Sequence, residues 1–185
     1  MYPTARDLRL ATLLLEPRTS MRDAGAESKR INSVYGLINL VRACGDLASV
    51  VEVGSYRGVS TEVLCLFAAQ VYAVDPWTDM DAIWQQFVER MRGYPHLEIL
   101  REPSITAATQ FADGSLDLVY VDGAHDYESV RADLNAWRPK IKPGGWIAGH
   151  DYSPLIEAGS VIRAVDEVLG SPERVFEDSS WLIRC

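Results

Sequence analysis

Acidic and histidine side chains stand where two apolar runs of the sequence end. The run LDLVYV ends at Asp122, and His125 follows three residues later. The run WIAG ends at His150 and Asp151. Short apolar runs bounded by turn residues are typical of buried strands, where an unpaired charge is costly. Because carboxylates and imidazoles serve as general bases and as metal ligands, these residues predict a reactive site.

A glycine-bearing segment, EVGSYRGVST, lies between a predicted strand and a predicted helix. Gly54 allows a tight turn, Gly58 allows close approach of strand and helix, and the free amides at the helix start can bind an anion. Asp75 ends the next apolar run about twenty residues later, where its carboxylate can accept hydrogen bonds from a ribose diol. Each feature alone also fits an ordinary turn. Their order within one βαβ unit predicts a nucleoside-binding site.

The composition of the glycine segment helps to choose the nucleoside. A dinucleotide fingerprint reads G-x-G-x-x-G, whereas here Tyr56 and Arg57 stand between the two glycines and would crowd a pyrophosphate. Glu52 places a negative charge beside the segment, which suits an ammonium group and disfavours a phosphate. S-adenosylmethionine (SAM) carries a ribose, an amino acid end and a sulfonium instead of a phosphate. SAM is therefore the predicted ligand.

The elements that must position these residues alternate between strand and helix from about residue 50 onward, which predicts parallel βαβ units. Predicted strands cover 49–54, 71–76, 96–100, 116–122 and 146–151, and a closing hairpin joins 174–177 to 181–185. Predicted helices cover 59–70, 79–93, 104–111, 127–137 and 160–170, with Ser104 as a candidate N-cap. The predicted fold is α/β and Rossmann-like: a doubly wound, mostly parallel seven-stranded sheet with a C-terminal β-hairpin edge.

The first 45 residues differ from the rest, with amphipathic helical patterns around 4–16 and 28–44. Neither helix could bury its apolar face alone, so residues 1–45 are predicted to form a helical cap or lid. Residues 46–185 then form the SAM-binding core of one structural domain.

The net charge and the cysteine content indicate which classes of partner and which compartment suit the protein. Among 185 residues, 18 Lys and Arg stand against 26 Asp and Glu, a formal net charge of -8 that disfavours nucleic acids and anionic membranes. The three cysteines are odd in number and lack CxxC spacing, and nothing resembles a signal peptide or a membrane span, so we expect a reduced, cytoplasmic protein. The expected partner is a small-molecule acceptor. The sequence leaves open whether the protein is a homo-oligomer in which a second subunit holds part of the acceptor.

Four segments together carry a family resemblance: VEVGSYRGVST, VYAVDPW, DLVYVDGAHDYESVRADL and IKPGGWIAGHDY. The chain resembles class I SAM-dependent methyltransferases over most of residues 45–152, and more narrowly the small-molecule O-methyltransferases grouped with macrocin O-methyltransferase and cephalosporin hydroxylase-like proteins. The resemblance implies a methionine end lined by Glu52, Gly54, Ser55, Tyr56, Gly58 and Thr61, a ribose contact at Asp75, an adenine site near Trp77 and Ser104, and Asp122 beside the cofactor.

The ends of the fourth and fifth strands should be neighbours in such a sheet, which brings together Asp122, His150 and Asp151 as metal ligands. Two carboxylates suit magnesium or manganese. In the resembling metal-dependent proteins an acid stands at the position of His150. Either His150 is a ligand, which would favour manganese, iron, zinc or nickel, or it points away from the site. The same resemblance implies that His125 is a general base. The alternative is structural: Asp122 and Gly123 form a turn, and Asp151 caps a loop.

These residues predict transfer of the SAM methyl group to a hydroxyl of a small acceptor such as a sugar, a polyol or a catechol-like ring. His125 would remove the proton and Asp122 would act beside it, with Trp77, Trp84 and Tyr152 as candidate apolar walls. Alternatives are metal-independent transfer to nitrogen, carbon or a carboxylate, and a non-catalytic subunit that binds SAM or another nucleoside. A Rossmann dehydrogenase is disfavoured by the glycine spacing.

Overall fold

The protein is described by a computed structural model that covers residue 6, residues 9–12 and residues 24–185, with side chains from 34 onward in the last range. Residues 9–12 are helical. The first predicted N-terminal helix, around 4–16, lies mostly outside the described residues. The second, predicted around 28–44, is helix α1 at Ala24–Cys44. The division into a cap (1–45) and a core (46–185) stays a prediction.

One seven-stranded sheet organises the chain. Its strands are β1 Leu47–Val53, β2 Ala68–Val74, β3 Leu97–Leu100, β4 Leu116–Val121, β5 Ile141–Gly149, β6 Arg174–Val175 and β7 Trp181–Arg184. They lie side by side in the order β3-β2-β1-β4-β5-β7-β6. The first five pair in parallel, and β7 runs antiparallel to β5 and β6. The predicted Rossmann-like fold with a hairpin edge is thereby confirmed.

Helices cover both faces of the sheet. After α1 they are α2 Val59–Phe67, α3 Asp81–Met91, α4 Ser104–Ala108, α5 Tyr127–Trp137 and α6 Ser160–Val168, with short 3₁₀ turns at Arg138–Lys140 and Glu157–Gly159. Successive strand residues point to opposite faces. Leu118 packs into the core under α1 and α2, and Val119 packs into the core under α5 and α6. Burial on both faces explains why the strands are almost continuously apolar.

Two boundaries differ from the sequence prediction because strand pairing overrides the local pattern. Strand β2 begins at Ala68, inside the predicted helix, since Ala68 and Gln70 pair with Leu47 and Ser49 of β1. Strand β5 begins at Ile141, before the KPGG segment that was predicted to be only a turn. Its pairing with β4 shifts register between Leu116 and Leu118, so residues 142–145 form an irregularity within the strand.

The strand order reverses between β1 and β4. From β1 the chain moves outward to β2 and β3, and it then returns to place β4 on the other side of β1. In an open sheet of this kind, the loops that leave these two strands separate and form a crevice at their carboxyl ends. The loops after Val53 and Val121 therefore border the ligand site. Within the described residues, no helix has both the length and the apolar character needed to cross a membrane.

Gly54 is required for the two strands to meet at this crevice. Its φ is +90°, and a Cβ atom there would lie 2.2 Å from the carbonyl oxygen of Asp122. Replacing Gly54 by Ala should lower the free energy of unfolding by more than about 2 kcal/mol in urea titration. Gly93→Ala is the matched control because Gly93 is exposed with open space around it. It should change stability by less than about 0.5 kcal/mol; equal effects of the two changes would contradict this account.

Candidate functional site

A cleft of about 1900 Å³ opens beyond the carboxyl ends of the central strands. Of the residues predicted for the site, those that line it are Gly54, Ser55, Tyr56, Asp75, Ser104, Asp122, His125, His150 and Asp151. Val34 and Leu37 of α1 form part of its wall. The fold thus brings the glycine segment and the acid and histidine cluster into one cavity.

The glycine segment folds as a tight connection between β1 and α2. The amide of Gly54 donates to the carbonyl of Val74 at 2.8 Å, and the amide of Gly58 donates to the carbonyl of Ser55 at 2.8 Å. Gly58 caps α2 in the left-handed region, with φ +80°. A Cβ there would lie 3.0 Å from the ring of Phe87. Gly58 thus permits close approach of α3, whereas the sequence predicted a contact between the strand and its own helix.

Asp75 ends β2 with its carboxylate at the cleft. Its two oxygens accept hydrogen bonds from the backbone amides of Tyr56 at 2.9 Å and Trp77 at 2.8 Å. These bonds fix the carboxylate against the glycine segment. Because a carboxylate oxygen can accept more than one hydrogen bond, Asp75 retains capacity for a diol. The geometry is compatible with the predicted ribose contact.

Trp77 lies behind the cleft wall instead of at its surface. The side chain is fully buried and its ring packs 4.6 Å from Phe87 and 4.8 Å from Trp84, measured between centroids. Its indole N–H donates to the carbonyl of Tyr56 at 2.7 Å. Trp77 therefore supports the glycine segment from below, and the structure does not bring it to the surface expected of an adenine contact.

Different apolar side chains reach the cleft. Trp77, Trp84 and Tyr152, the predicted wall, are not among its lining residues, and the hydroxyl of Tyr152 donates to Asp166 at 2.7 Å. Tyr56, Met80 and Ile105 line the cleft with large exposed surfaces. Single apolar residues in polar segments leave no periodic pattern, so sequence reasoning had no signal for Met80 or Ile105.

Glu52 is a fully buried acid beneath the glycine segment. Thr61 donates its hydroxyl to Oε2, whereas Oε1 and the hydroxyl of Ser55 have no hydrogen-bond partner among the described residues. Burial raises the pKa of Glu52 to about 7 despite the hydrogen bond from Thr61. An unsatisfied buried polar group costs about 1–3 kcal/mol. Glu52 and Ser55 therefore provide acceptors at the base of the glycine segment, and of the two Ser55 lines the cleft.

Asp122, His125 and Asp151 converge in the cleft where β4 and β5 end. His125 Nε2 lies 2.8 Å from Asp151 Oδ2 and 4.0 Å from Asp122 Oδ1. One ligand atom from each of the three residues lies within 4.8 Å of the others. Two carboxylates and one imidazole are a suitable donor set for a divalent cation. The backbone of Asp151 has φ +61°, a left-handed conformation that is uncommon outside glycine and is often found at functional sites.

The charges of this cluster shift each other's protonation. The nearby carboxylates of Asp122 and then of Asp151 raise the pKa of His125 to about 10. Burial would raise the pKa of Asp151, but its hydrogen bonds to His125 and His150 lower it below its usual range. The two neighbouring carboxylates favour the protonated ring. His125 can therefore act as a base only when positive charge offsets them.

His150 was predicted either to ligate a metal or to point away, and the group of three ligand atoms that lie close together does not include it. Its Nδ1 lies 3.0 Å from Asp151 Oδ1, and its Nε2 lies 3.7 Å from Asp178 Oδ2. Burial would lower the pKa of His150, but the bond to Asp151 and the nearby carboxylates raise it to about 9. The structure thus groups His125 with Asp122 and Asp151, whereas His150 contacts Asp151 from outside this group of three.

Two further acids beside the cleft were missed. Asp133 is buried and lines the cleft close to Ser104, and burial raises its pKa. The signal was an acid within the apolar stripe of α5, next to Val130 and Trp137. The indole of Trp137 donates to Ser104 at 2.8 Å, so Ser104 belongs to this polar group instead of capping α4.

Glu62 is the second missed acid. It is fully buried and accepts from Arg9 at 2.6 Å, Arg90 at 2.7 Å and Tyr94 at 2.6 Å. Arg9 and Arg90 also line the cleft. This ion pair fastens the N-terminal helical residues to α2 and α3 beside the site. Its partners are far apart in sequence, so no local pattern could reveal it.

A protein-family profile described as "Methyltransferase domain" matches residues 51–152. Among curated proteins, the uncharacterized protein y4gI of Sinorhizobium fredii is 29% identical over an alignment of 116 residues, and the match covers 55% of this chain and 13% of y4gI. The chain thus spans a small part of that relative's length.

Solved structures share the fold. The N-methyltransferase NodS of Bradyrhizobium japonicum WM9 in complex with S-adenosyl-L-homocysteine (SAH) aligns with a TM-score of 0.60 and 18% identity, over 98% of this chain and 97% of NodS. A SAM-dependent methyltransferase of Aquifex aeolicus aligns with a TM-score of 0.59 and 14% identity, over 80% and 87% of the two chains. At these identities the likeness concerns the fold.

Glu52 should make stability depend on pH. Its pKa is about 7 in the folded chain against 4.5 for a free carboxyl, so the folded state holds the proton more tightly. Stability is therefore greatest below pH 4.5 for this group and declines as the pH rises to 7, by about 3 kcal/mol. Glu52→Gln should remove this decline in urea titrations between pH 4.5 and 7.5. Glu98→Gln, an exposed change on β3, should leave it intact; the same pH profile in both variants would contradict the assignment.

Proposed function

The chain belongs to the methyltransferase domain family and has the fold of SAM-dependent methyltransferases, and we propose that it methylates a hydroxyl group of a small molecule. The observation that carries this proposal is the cluster of Asp122, His125 and Asp151. It shares one cleft with the acceptors suited to SAM. A proton acceptor beside a methyl donor is the arrangement that a hydroxyl substrate needs.

The glycine segment and its neighbours are suited to SAM. Asp75 would accept hydrogen bonds from the ribose diol. The unpartnered oxygens of Glu52 and Ser55 would accept hydrogen bonds from the ammonium group. Bound there, SAM supplies an electrophilic methyl group. The residues of the cleft contribute alignment, which is the main requirement of an in-line transfer.

His125 would remove the proton of the acceptor. Because Asp151 accepts from Nε2–H at 2.8 Å, the ring is held in the tautomer that leaves Nδ1 as the basic nitrogen. The acceptor oxygen then forms a bond to the methyl carbon as the carbon–sulfur bond breaks and its electron pair stays on sulfur. The hydroxyl proton passes to Nδ1. The products are SAH, the methyl ether and a protonated His125.

Asp122 and Asp151 would hold a divalent cation. Because both supply carboxylate oxygens, magnesium or manganese is the better match. Such a cation acidifies a nearby hydroxyl and offsets the charge of the two carboxylates. His125 is near enough to serve as a third ligand, in which case a transition metal becomes the better match. Because a nitrogen that binds a cation cannot also accept the proton, the roles of His125 as ligand and as base are alternatives within the proposal.

The acceptor would lie between the cluster and α1. Val34 and Leu37 face the cleft from above, and Tyr56, Met80 and Ile105 offer apolar surface along it. A ring with an apolar face and an edge of hydroxyls suits this combination. Sugars, polyols and catechol-like compounds are therefore the proposed class. Nucleic acid is disfavoured by the net charge of -8.

The test is an assay of SAH release with catechols, sugars and amines as acceptors. His125→Ala should lower kcat by about 100-fold or more, because the proton acceptor is lost. The dissociation constant for SAH, measured by calorimetry, should change less than about threefold, because His125 lies outside the predicted cofactor contacts. Glu128→Gln, an exposed change three residues away in the first turn of α5, is the matched control and should retain full activity.

Three results would contradict parts of the proposal. Failure to bind SAH would overturn the methyltransferase assignment and leave a nucleoside-binding fold. Activity that survives chelation would remove the cation. Transfer to amines, carbon or carboxylates with a normal rate in His125→Ala would favour metal-independent N-, C- or carboxyl-methylation; SAH binding without turnover on any acceptor would favour a non-catalytic subunit.

A further inference from the structure

His150 joins the reactive cluster to the C-terminal hairpin. One ring nitrogen, Nδ1, lies 3.0 Å from Asp151 Oδ1, and the other, Nε2, lies 3.7 Å from Asp178 Oδ2. The Nε2 atom is buried and has no hydrogen-bond partner among the described residues. A buried polar atom left in this state calls for a reason. The ring of His150 lies between the carboxylates of Asp151 and Asp178, and Nε2 is the nitrogen on the side of Asp178.

Asp178 is fixed in the turn between β6 and β7. Its side chain is 2% exposed. Oδ1 accepts from the amide of Ser180 at 3.1 Å, and Oδ2 accepts from the hydroxyl of Ser180 at 2.8 Å. Helix α1 covers it so closely that a Cβ on Gly36 would lie 1.9 Å from the carboxylate. Asp178 therefore presents a carboxylate whose direction is set by the turn below and the helix above.

The same turn holds the backbone on both sides of Asp151. The indole of Trp181 donates to the carbonyl of His150 at 3.3 Å. The amide of Tyr152 donates to the carbonyl of Ser179 at 3.0 Å. Asp151 itself has the left-handed φ of +61°. A strained residue of this kind persists only where the surroundings enforce it, and here the hairpin turn does so.

We propose that His150 and Asp178 are positioning residues that fix the Asp151 carboxylate against His125. Asp178 orients the His150 ring from behind, His150 holds Asp151 Oδ1, and Asp151 Oδ2 is thereby presented to His125 Nε2. The inference deepens the proposed function and rests on it, because the direction of Asp151 matters for the reaction only if the cluster takes part in it. It gives the C-terminal hairpin a role in the site.

The protein has three histidines, so the contacts from Asp178 through His150 to His125 can be followed by NMR of individual imidazole rings. Long-range proton–nitrogen NMR at one fixed pH reports the hydrogen bonding of each imidazole ring, and single-histidine variants assign the signals. Asp178→Asn keeps the size of the side chain and removes its charge. It should shift the ring nitrogens of His150 and also of His125, which does not contact Asp178, while those of His96, on the far side of β2, stay unchanged.

Glu177→Gln is the matched control. Glu177 precedes Asp178 in the same turn, but its side chain is exposed. This change should leave all three histidines unchanged. Shifts of His125 as large as those in Asp178→Asn would show a general disturbance of the turn and overturn the inference.

Two changes at His150 provide a test that does not depend on the folding of Asp178→Asn. Asn at this position retains a donor close to the place of Nδ1, whereas Ala retains none. His150→Ala should therefore shift the His125 ring nitrogens and lower kcat by about 10- to 100-fold with little change in the SAH dissociation constant. His150→Asn should restore most of both. Equal behaviour of the two variants, or an unchanged His125 in each, would overturn the inference.

The NMR and kinetic readouts separate the two proposals. Correlated shifts of His150 and His125 support the positioning role even if no acceptor is methylated, a result that would count against the proposed function alone. Methyl transfer that proceeds normally in His150→Ala, with unchanged His125 signals, would leave the proposed function standing and remove the positioning role.

Discussion

The close contact of β1 and β4 at their carboxyl ends is the constraint on which the rest of the site depends. The amide of Asp122 donates to the carbonyl of Val53 at 2.8 Å, and Gly54 leaves no room for a side chain between the two strands. Beyond this contact the loops must part, because the chain leaves β1 and β4 towards opposite halves of the sheet. The separation creates the cleft and places Gly54 and Asp122 at its lining, with Glu52 buried beneath the glycine segment.

Several acids are buried around this cleft, and each needs a stabilising proton or a partner of opposite charge. Glu52 is buried with a raised pKa of about 7, whereas Asp151 is kept ionised by His125 and His150. Glu62 is neutralised by Arg9 and Arg90. The three sites therefore solve the same electrostatic problem by retaining a proton, by pairing with histidine and by pairing with arginine. The pairing with histidine leaves charged groups at the cleft, and the pairing with arginine fastens the N-terminal helical residues.

Much of this architecture could be predicted from the sequence because it has a local cause. Apolar runs predicted the five parallel strands, and the polar residue that ends each run predicted which side chains reach the cleft, as Asp75, Asp122 and Asp151 do. Boundaries were less accurate where pairing competes with helical pattern, as at Ala68, or where a strand contains an irregularity, as at 142–145. In those places the energy of a strand neighbour outweighs the preference of the local segment.

By itself the sequence determined the sheet, the edge at which ligands bind and the chemical types gathered there, since hydrophobic periodicity and turn residues act over a few positions. Only the tertiary structure decided which of these groups meet. It buried Trp77 beneath the glycine segment, turned His150 towards Asp178, and brought His125 to Asp122 and Asp151. The physical reason is that these contacts join segments far apart in the chain. Their geometry depends on how helices and hairpin pack against the sheet, and packing leaves no periodic trace in the sequence.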